Sequence, residues 1–368
     1  MRGEIALEKI QENVYTGRGQ TASVNRTPTF LEGRQNNFDF IRVLLAVFVV
    51  CSHIVILSEN AQLQKYLFFI PSGLRVCAFF IISGLLVSKS YNNTPKIKDY
   101  VKKRANRILP AYIFVVVVCA VSLVWVSEFN PKQYFISKDW IRYLGYNLAF
   151  LNFLQPDLPG VFTTNPTHAV NGSLWNIKIE VAFYVLLPVM IYWLNRSHRK
   201  FGKLIFLYII SLIYRYLLEW WGEKTGNNFW IILSYQFPGY LCYFICGMAL
   251  FFYRDKIKKI PTGLFFIALV ILRLESYFEL TIFKPIALAV VVFYVASRFK
   301  FLNNFGKYGD FSYGIYIYHY PVVQLVIYYG WFDKGYSPLL VAIFILLTSI
   351  VLGILSWFLI EKRFLRRR

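Results

Sequence analysis

Charge is scarce in this chain. Only 16% of its 368 residues are Asp, Glu, Lys or Arg, against roughly 25% in ordinary soluble domains. Meanwhile 57% are hydrophobic and the mean hydropathy is +0.48. A cytosolic enzyme is excluded, because the apolar runs are too many and too long. Acids are the scarcer sign, 19 against 40 Lys and Arg, which leaves a net charge of +21. Cysteine is sparse as well. The five (Cys51, Cys77, Cys119, Cys242 and Cys246) all lie in apolar runs, where a thiol behaves as a small hydrophobe, so a secreted disulfide scaffold is excluded too. No apolar signal-peptide core opens the chain, and no internal repeat of the transporter kind is visible. Neither end carries a stretch of soluble composition large enough for a catalytic domain. The expected organisation is a polar cytoplasmic tail at 1–37, one membrane domain at 38–361 and a short basic cytoplasmic tail at 362–368.

A helix crossing a bilayer needs about 20 mainly apolar residues. Ten stretches fit: roughly 38–57, 67–88, 108–127, 174–194, 203–221, 229–252, 261–273, 281–297, 311–331 and 338–360. The seventh is short and is expected to run on through Glu275 to Glu279. The stretch 141–154 is too short and too polar at its ends; an interfacial or re-entrant piece fits it, and an eleventh span stays open. With the N-terminus in the cytoplasm, the inside segments hold 28 of the 40 Lys and Arg, the outside segments 7, and 5 fall within spans. That is the bias of the positive-inside rule, and an odd number of spans breaks it. The expected fold is therefore all-α: a polytopic membrane protein of about ten transmembrane helices with both termini cytoplasmic. Topology accounts for the positive excess, so the lipid bilayer is an expected partner and nucleic acid is not.

A charge at a helix centre costs at least ~2.5–3.5 kcal/mol on insertion scales, so each one calls for a reason. Arg42 sits near the cytoplasmic end of the first span, with His53 about 16 Å further up at about 1.5 Å per residue. Asp39 and Arg42, at i and i+3, are spaced to pair. Arg42 reads equally as a headgroup anchor, and His53 as an interior histidine satisfied by backbone or a Ser. In the fourth span Glu180 lies about two turns inside the outer face, at the depth of His53, with Tyr184 one turn further on the same helix face. A buried Glu and His at matched depth suit an acid–base pair; an interhelical structural bridge is the competing reading. Lys102, Lys103, Arg104 and Arg107 precede Pro110, which is tolerated in a first helical turn. Arg104 and Arg107 share a face and suit phosphate, whose oxygens Arg takes bidentately; anionic lipid suits them as well. The ninth span opens on the aromatic run Phe311 to Pro321 and puts His319 near mid-membrane, lining a cavity or bonding a neighbouring helix.

These residues resemble the acyltransferase-3 family of integral membrane O-acyltransferases, over most of the chain from about Phe38 to Glu361. The motifs come in order. Arg, ten residues, then His is met by Arg42 and His53. Phe-Phe-x-x-Ser-Gly is met by Phe79 to Gly84, and Arg-x-x-Arg-x-x-Pro by Arg104, Arg107 and Pro110. Trp175 to Glu180, then Phe183, Tyr184 and Pro188, meet the Trp to Glu element and its Phe-Tyr sequel. Ser312, Tyr313, Tyr316, His319 and Pro321 meet the Ser-Tyr-x-x-Tyr-x-x-His-x-Pro element. Ser356, Glu361 and Lys362 meet the closing one. Asn176 and Ile177 replace the usual Ser/Thr and Leu, Arg363 replaces a proline, and Arg75 has no family counterpart.

The resemblance implies transfer of an acyl group, usually acetyl from cytoplasmic acetyl-CoA, to a hydroxyl of an extracytoplasmic sugar, with no metal. It implies that Arg104 and Arg107 take the nucleotide phosphates while the pantetheine arm rises past Arg42. His53 would be general base and Glu180 its orienting partner. Ser83 and Asn176 are candidates for the oxyanion, and Asp39, Trp175, Tyr184, His319 and Ser83 for substrate contact. The shape resembles stand-alone members that decorate O-antigen or exopolysaccharide units. That implies a glycan or lipid-linked saccharide acceptor and a multi-pass protein of a bacterial inner membrane; an oligomer stays open. The competing reading is a proton-coupled transporter of an anionic solute. Ten helices, intramembrane His and Glu and a basic inner mouth fit it; the missing repeat and the ordered motifs do not. A membrane scaffold for polysaccharide assembly is a third reading, on which His53 is dispensable.

Overall fold

The computed structural model describes residues 37–365 except 67–71, 95, 197, 258–259, 279–280, 300–301 and 304. The N-terminal tail, apart from Asn37, and the last three residues lie outside the described residues. Away from water every backbone N–H and C=O has to bond within its own segment, which apolar runs of this length achieve only as helices. The runs accordingly fold as α1 (Phe38–Ser58), α2 (Ser72–Asn92) and α3 (Ile97–Ser122). Two short helices follow, α4 (Pro131–Ile136) and α5 (Lys138–Leu148). Next come α6 (Trp175–Asn195), α7 (Lys200–Thr225), α8 (Asn228–Ser234) and α9 (Phe237–Phe252). The chain ends on α10 (Thr262–Phe278), α11 (Lys284–Arg298), α12 (Ser312–Tyr328) and α13 (Pro338–Ser356). Among the described residues no strand forms.

Seven helical segments are long and apolar enough to cross a membrane: Phe38–Ser58, Gly73–Asn92, Ile97–Val126, Gly172–Asn195, Lys200–Thr225, Asn228–Phe252 and Pro338–Leu365. The protein is an integral membrane protein. The other three expected runs are helical too, but α10, α11 and α12 have 17, 15 and 17 residues. The 141–154 stretch holds the end of α5, an 11-residue helix too short to span, and then turns from 149 onward. Exposed Ile113, Phe114, Val185, Val189, Leu340 and Leu347 make the outer surface apolar, as a lipid-facing surface is.

Small residues let the inner helices approach closely. A Cβ on Gly84 of α2 would run into the Phe244 carbonyl of α9, and one on Gly247 of α9 into the Ile81 carbonyl. Gly314 of α12 and Gly353 of α13 meet in the same way. Around these contacts α2, α3, α6 and α9 bury one large apolar cluster, and α1, α12 and α13 a second.

Pro110 is not in a first turn. The helix starts at Ile97, so Pro110 lies in its interior, as Pro188 does in α6 and Pro321 in α12. An interior proline frees the carbonyl four residues back. At Pro188 that carbonyl is Tyr184 O, which accepts the Tyr100 hydroxyl of α3 at 2.8 Å. At Pro321 it is Ile317 O, which accepts Asn171 Nδ2 from the loop between α5 and α6 at 2.8 Å. The loop is fastened to α12 again where Gln324 Nε2 donates to the Thr167 and Ala169 carbonyls, both at 2.7 Å.

Candidate functional site

A cavity opens among α1, α2, α3, α6 and α12. Its polar lining is Arg42 from α1, Ser83 from α2, Arg104 and Arg107 from α3, Asn176, Glu180 and Tyr184 from α6, and Ser312, Tyr313 and Tyr316 from α12. Phe79, Phe80 and Leu86 are among the apolar remainder. Seven candidate site residues named from the sequence, Arg42, Ser83, Arg104, Arg107, Asn176, Glu180 and Tyr184, thus meet around one space. Trp175 faces elsewhere. It lines a second groove with Lys178, Tyr235 and Tyr240, and its ring lies 5.9 Å from that of Tyr240. Lys178 donates to Gln236 Oε1 at 2.6 Å and lies over the Phe153 ring.

The pairings differ from those that spacing suggests. Arg42 forms an ion pair with Asp310, just ahead of α12. Asp39 packs against Gly306. Arg107 bridges two carboxylates, Asp310 at 2.6 Å and Glu361 at 3.1 Å. Ser312 and Ser356 donate to the remaining oxygens of these acids, at 2.5 and 3.0 Å. Burial alone would raise the Asp310 carboxyl, but the flanking Arg107 and Arg42 guanidiniums outweigh it and hold it down at about 2. Two of the three arginines expected to take the donor are therefore already matched to acids. Arg104 is different. Among the described residues it forms no ion pair; it donates to Ser90 Oγ at 3.2 Å, lies over the Tyr184 ring, and its Nε is buried with no partner.

Glu180 and His53 do not form the expected unit. Glu180 accepts from Ser83 Oγ at 2.9 Å and from the Tyr184 hydroxyl. His53 bonds His319 instead, Nδ1 to Nε2 at 2.7 Å, and His319 Nδ1 reaches the Tyr316 carbonyl at 2.6 Å. Matched depth on two helices says nothing about which sides face. Helix α1 packs against α12 and α2, so the imidazole that faces His53 comes from α12, while Glu180 is met from α2. Arg75, the charge without a family counterpart, sends Nη1 to the Phe48 carbonyl of α1 at 2.7 Å.

Sequence reasoning missed Asp310 and Asn171. The available signal for Asp310 was its isolation as an acid at the head of an aromatic run, in a chain with few acids. For Asn171 it was an amide beside a helix whose interior proline frees a carbonyl.

A family model described as an acyltransferase domain matches residues 35–358. An O-acetyl transferase of Shigella phage Sf6 is 29% identical over 345 residues, covering 91% of this chain and 97% of the relative. Nodulation protein 10 of Rhizobium leguminosarum bv. viciae is 24% identical over 91% of this chain and 95% of its own length. O-acetyltransferase OatA of Staphylococcus aureus is 25% identical over 91% of this chain, which spans 57% of that longer protein. No solved structure matches.

Proposed function

The chain belongs to this acyltransferase family, and from that premise we propose that it moves an acetyl group from cytoplasmic acetyl-CoA to a hydroxyl of an extracytoplasmic or lipid-linked sugar. The observation that supports the reading is the cavity. Five elements that carry family motifs converge on it, with a cationic rim of Arg104, Arg107 and Arg42 and an interior of Ser83, Glu180 and Tyr184. A thioester donor with anionic phosphates at one end suits such a gradient. Arg104 takes the phosphates, because its guanidinium is not already matched to an acid. Arg42 and Arg107, tied to Asp310 and Glu361, hold the rim in shape.

The reaction is direct acyl transfer. His53 accepts the proton of the sugar hydroxyl as its oxygen attacks the thioester carbonyl. The tetrahedral intermediate collapses with loss of the CoA thiolate, and the proton passes from His53 to that sulfur. One C–O bond forms and one C–S bond breaks. The ten runs at the expected positions are read as ten crossings with both termini cytoplasmic, which places the donor inside and the acceptor outside.

The test is transfer in sealed vesicles. Purified protein is reconstituted with labelled acetyl-CoA on the side that carries Lys102 and a lipid-linked oligosaccharide on the other. Orientation is read from impermeant labelling of a Lys138→Cys variant. Label on the sugar, lost in His53→Ala, is expected. Label crossing unchanged would replace the enzyme by a transporter.

A further inference from the structure

The two intramembrane histidines are 266 residues apart in sequence and share one hydrogen bond, His53 Nδ1 to His319 Nε2 at 2.7 Å. Their ring planes differ by 13°, with centroids 5.0 Å apart. Subtracting the 2.7 Å bond leaves only about one ring radius on each side. The rings therefore meet edge to edge, and the hydrogen bond lies in both ring planes rather than between stacked faces. His319 is fully buried, and its other nitrogen, Nδ1, lies 2.6 Å from the Tyr316 carbonyl oxygen.

This chain of contacts fixes where the protons are. A carbonyl oxygen only accepts, so His319 Nδ1 carries the hydrogen. Among the described residues neither histidine forms an ion pair, so no acid is there to balance a second proton on His319. Its Nε2 is then a lone pair, and the hydrogen between the rings belongs to His53 Nδ1. The remaining nitrogen of His53, Nε2, is left unprotonated. His53 retains accessible surface while His319 has none. Only the former meets a substrate.

We propose that His319 is the positioning residue of the acyl transfer: anchored on the Tyr316 carbonyl, it holds His53 in the tautomer whose Nε2 is the base, the task the sequence had given to Glu180. The inference rests on the functional reading above, in which His53 takes the hydroxyl proton. It adds that the proton goes no further. Passing the Nδ1 proton on to His319 Nε2 would put the positive charge on the ring that is fully buried with no acid beside it, so the charge stays on His53, the more exposed ring, until the departing thiolate of CoA takes the proton from Nε2. While it stays, the His53 Nδ1–H bond to His319 Nε2 is charge-assisted and steadies the imidazolium.

Three variants separate positioning from mere packing. His319→Gln places an amide oxygen near the former Nε2 and still accepts from His53 Nδ1–H. His319→Asn is too short to reach His53. His319→Leu removes the acceptor altogether. Acetyl transfer to the sugar and melting temperature are measured on the same preparations, with wild type and His53→Ala alongside. Expected is a kcat loss of about 100-fold or more in the Leu and Asn variants, in the range that orienting partners of a catalytic imidazole show, with the acetyl-CoA KM within about twofold. The Gln variant should recover to within about tenfold of wild type. If the Leu variant does not fold, the Asn and Gln pair alone decides. Equal activity in Gln and Asn variants, whether both high or both lost in folded protein, overturns the proposal. His53→Ala that still transfers acetyl overturns the underlying functional reading instead, whatever the His319 variants do.

Discussion

At the inner end of α1, Arg42 is held by charge; eleven residues further up, His53 is held by a neutral ring. The inner cluster draws Arg42 and Arg107 onto Asp310 and Glu361, so that four elements distant in sequence are tied by ion pairs. The outer pair joins α1 to α12 by a single bond between two imidazoles. Both lie in a low-dielectric interior, yet they stand to lose different things. Breaking a buried ion pair leaves an uncompensated charge, which is expensive to keep away from water. Breaking a neutral hydrogen bond costs far less stability and a great deal of chemistry, if that bond sets a base. The arginine cluster is thus a clamp, and the histidine pair is the reactive element of the proposed transfer.

The largest expected effect breaks the clamp. Arg107→Ala strands Glu361, which is 1% exposed, and leaves Asp310 with Arg42 alone. A stability loss of about 3–5 kcal/mol is expected, as for other buried pairs that lose one partner. Adding Glu361→Gln should restore part of it, because the stranded charge is then gone. His53→Ala, by contrast, should cost about 1–3 kcal/mol, because it leaves the buried His319 Nε2 without a donor, while abolishing transfer. Thermal unfolding of the three variants in the same detergent checks the contrast. Equal losses for Arg107→Ala and His53→Ala would erase the distinction between the two regions.

How much of this was legible beforehand differs between fold and site. Apolar runs long enough to bury a backbone gave the helices. The start of α3 was not legible. Its first turns carry Lys98, Asp99, Lys102, Lys103, Arg104 and Arg107, which read as a polar mouth, yet Tyr100 is buried there and the helix runs straight through Pro110. The break between α8 and α9 fell inside what read as one run. In the site, the ordered motifs named Ser83, Glu180, Tyr184 and the arginines, which line one cavity, although their positions along the helices had read as different depths. Azimuth was missing. It depends on which helices are neighbours, and that is set by close contacts such as Gly84 on Phe244 and Gly314 on Gly353. Hence the members were found and the pairings were not: His53 went to Glu180 in the sequence and to His319 in the fold.

A smaller effect sharpens the comparison at the outer end. Asn171→Ala withdraws the donor from Ile317 O, the carbonyl that Pro321 frees one turn below. A buried carbonyl left without a donor costs about 1–3 kcal/mol. The loss should appear locally, as faster hydrogen exchange across 160–174 and a modest fall in melting temperature. Because Asn171 steadies the stretch of α12 that carries His319, kcat should fall with it. A fall in stability with full activity would show that the loop clamp and the histidine pair are independent.

The smallest expected effect lies at the rim, where Arg104 and Arg107 are three residues apart and share a face. Spacing alone treats them as one phosphate fork, whereas the fold separates them. Arg107 is matched to two carboxylates, and Arg104 has a single hydroxyl partner and a buried Nε with none. Arg104→Ala removes a cation that no protein acid needs, so the fold should be nearly indifferent to it. What it should lose is one charged contact to the donor, worth about 1.5–3 kcal/mol at most when desolvated. At this half-open rim the expectation is about tenfold in the acetyl-CoA KM, or roughly 1.4 kcal/mol. The kcat and the apparent KM for the sugar should hardly move, since neither the hydroxyl nor His53 touches this residue. Arg104→Lys should recover only part of the donor affinity, because an ammonium is a point charge without the bidentate fork. Titrating donor and acceptor separately on Arg104→Ala and wild type decides the matter. An unchanged donor KM would return Arg104 to the headgroups as a lipid anchor and leave the phosphates to the clamp, and the inner end of α1 would then serve both stability and binding.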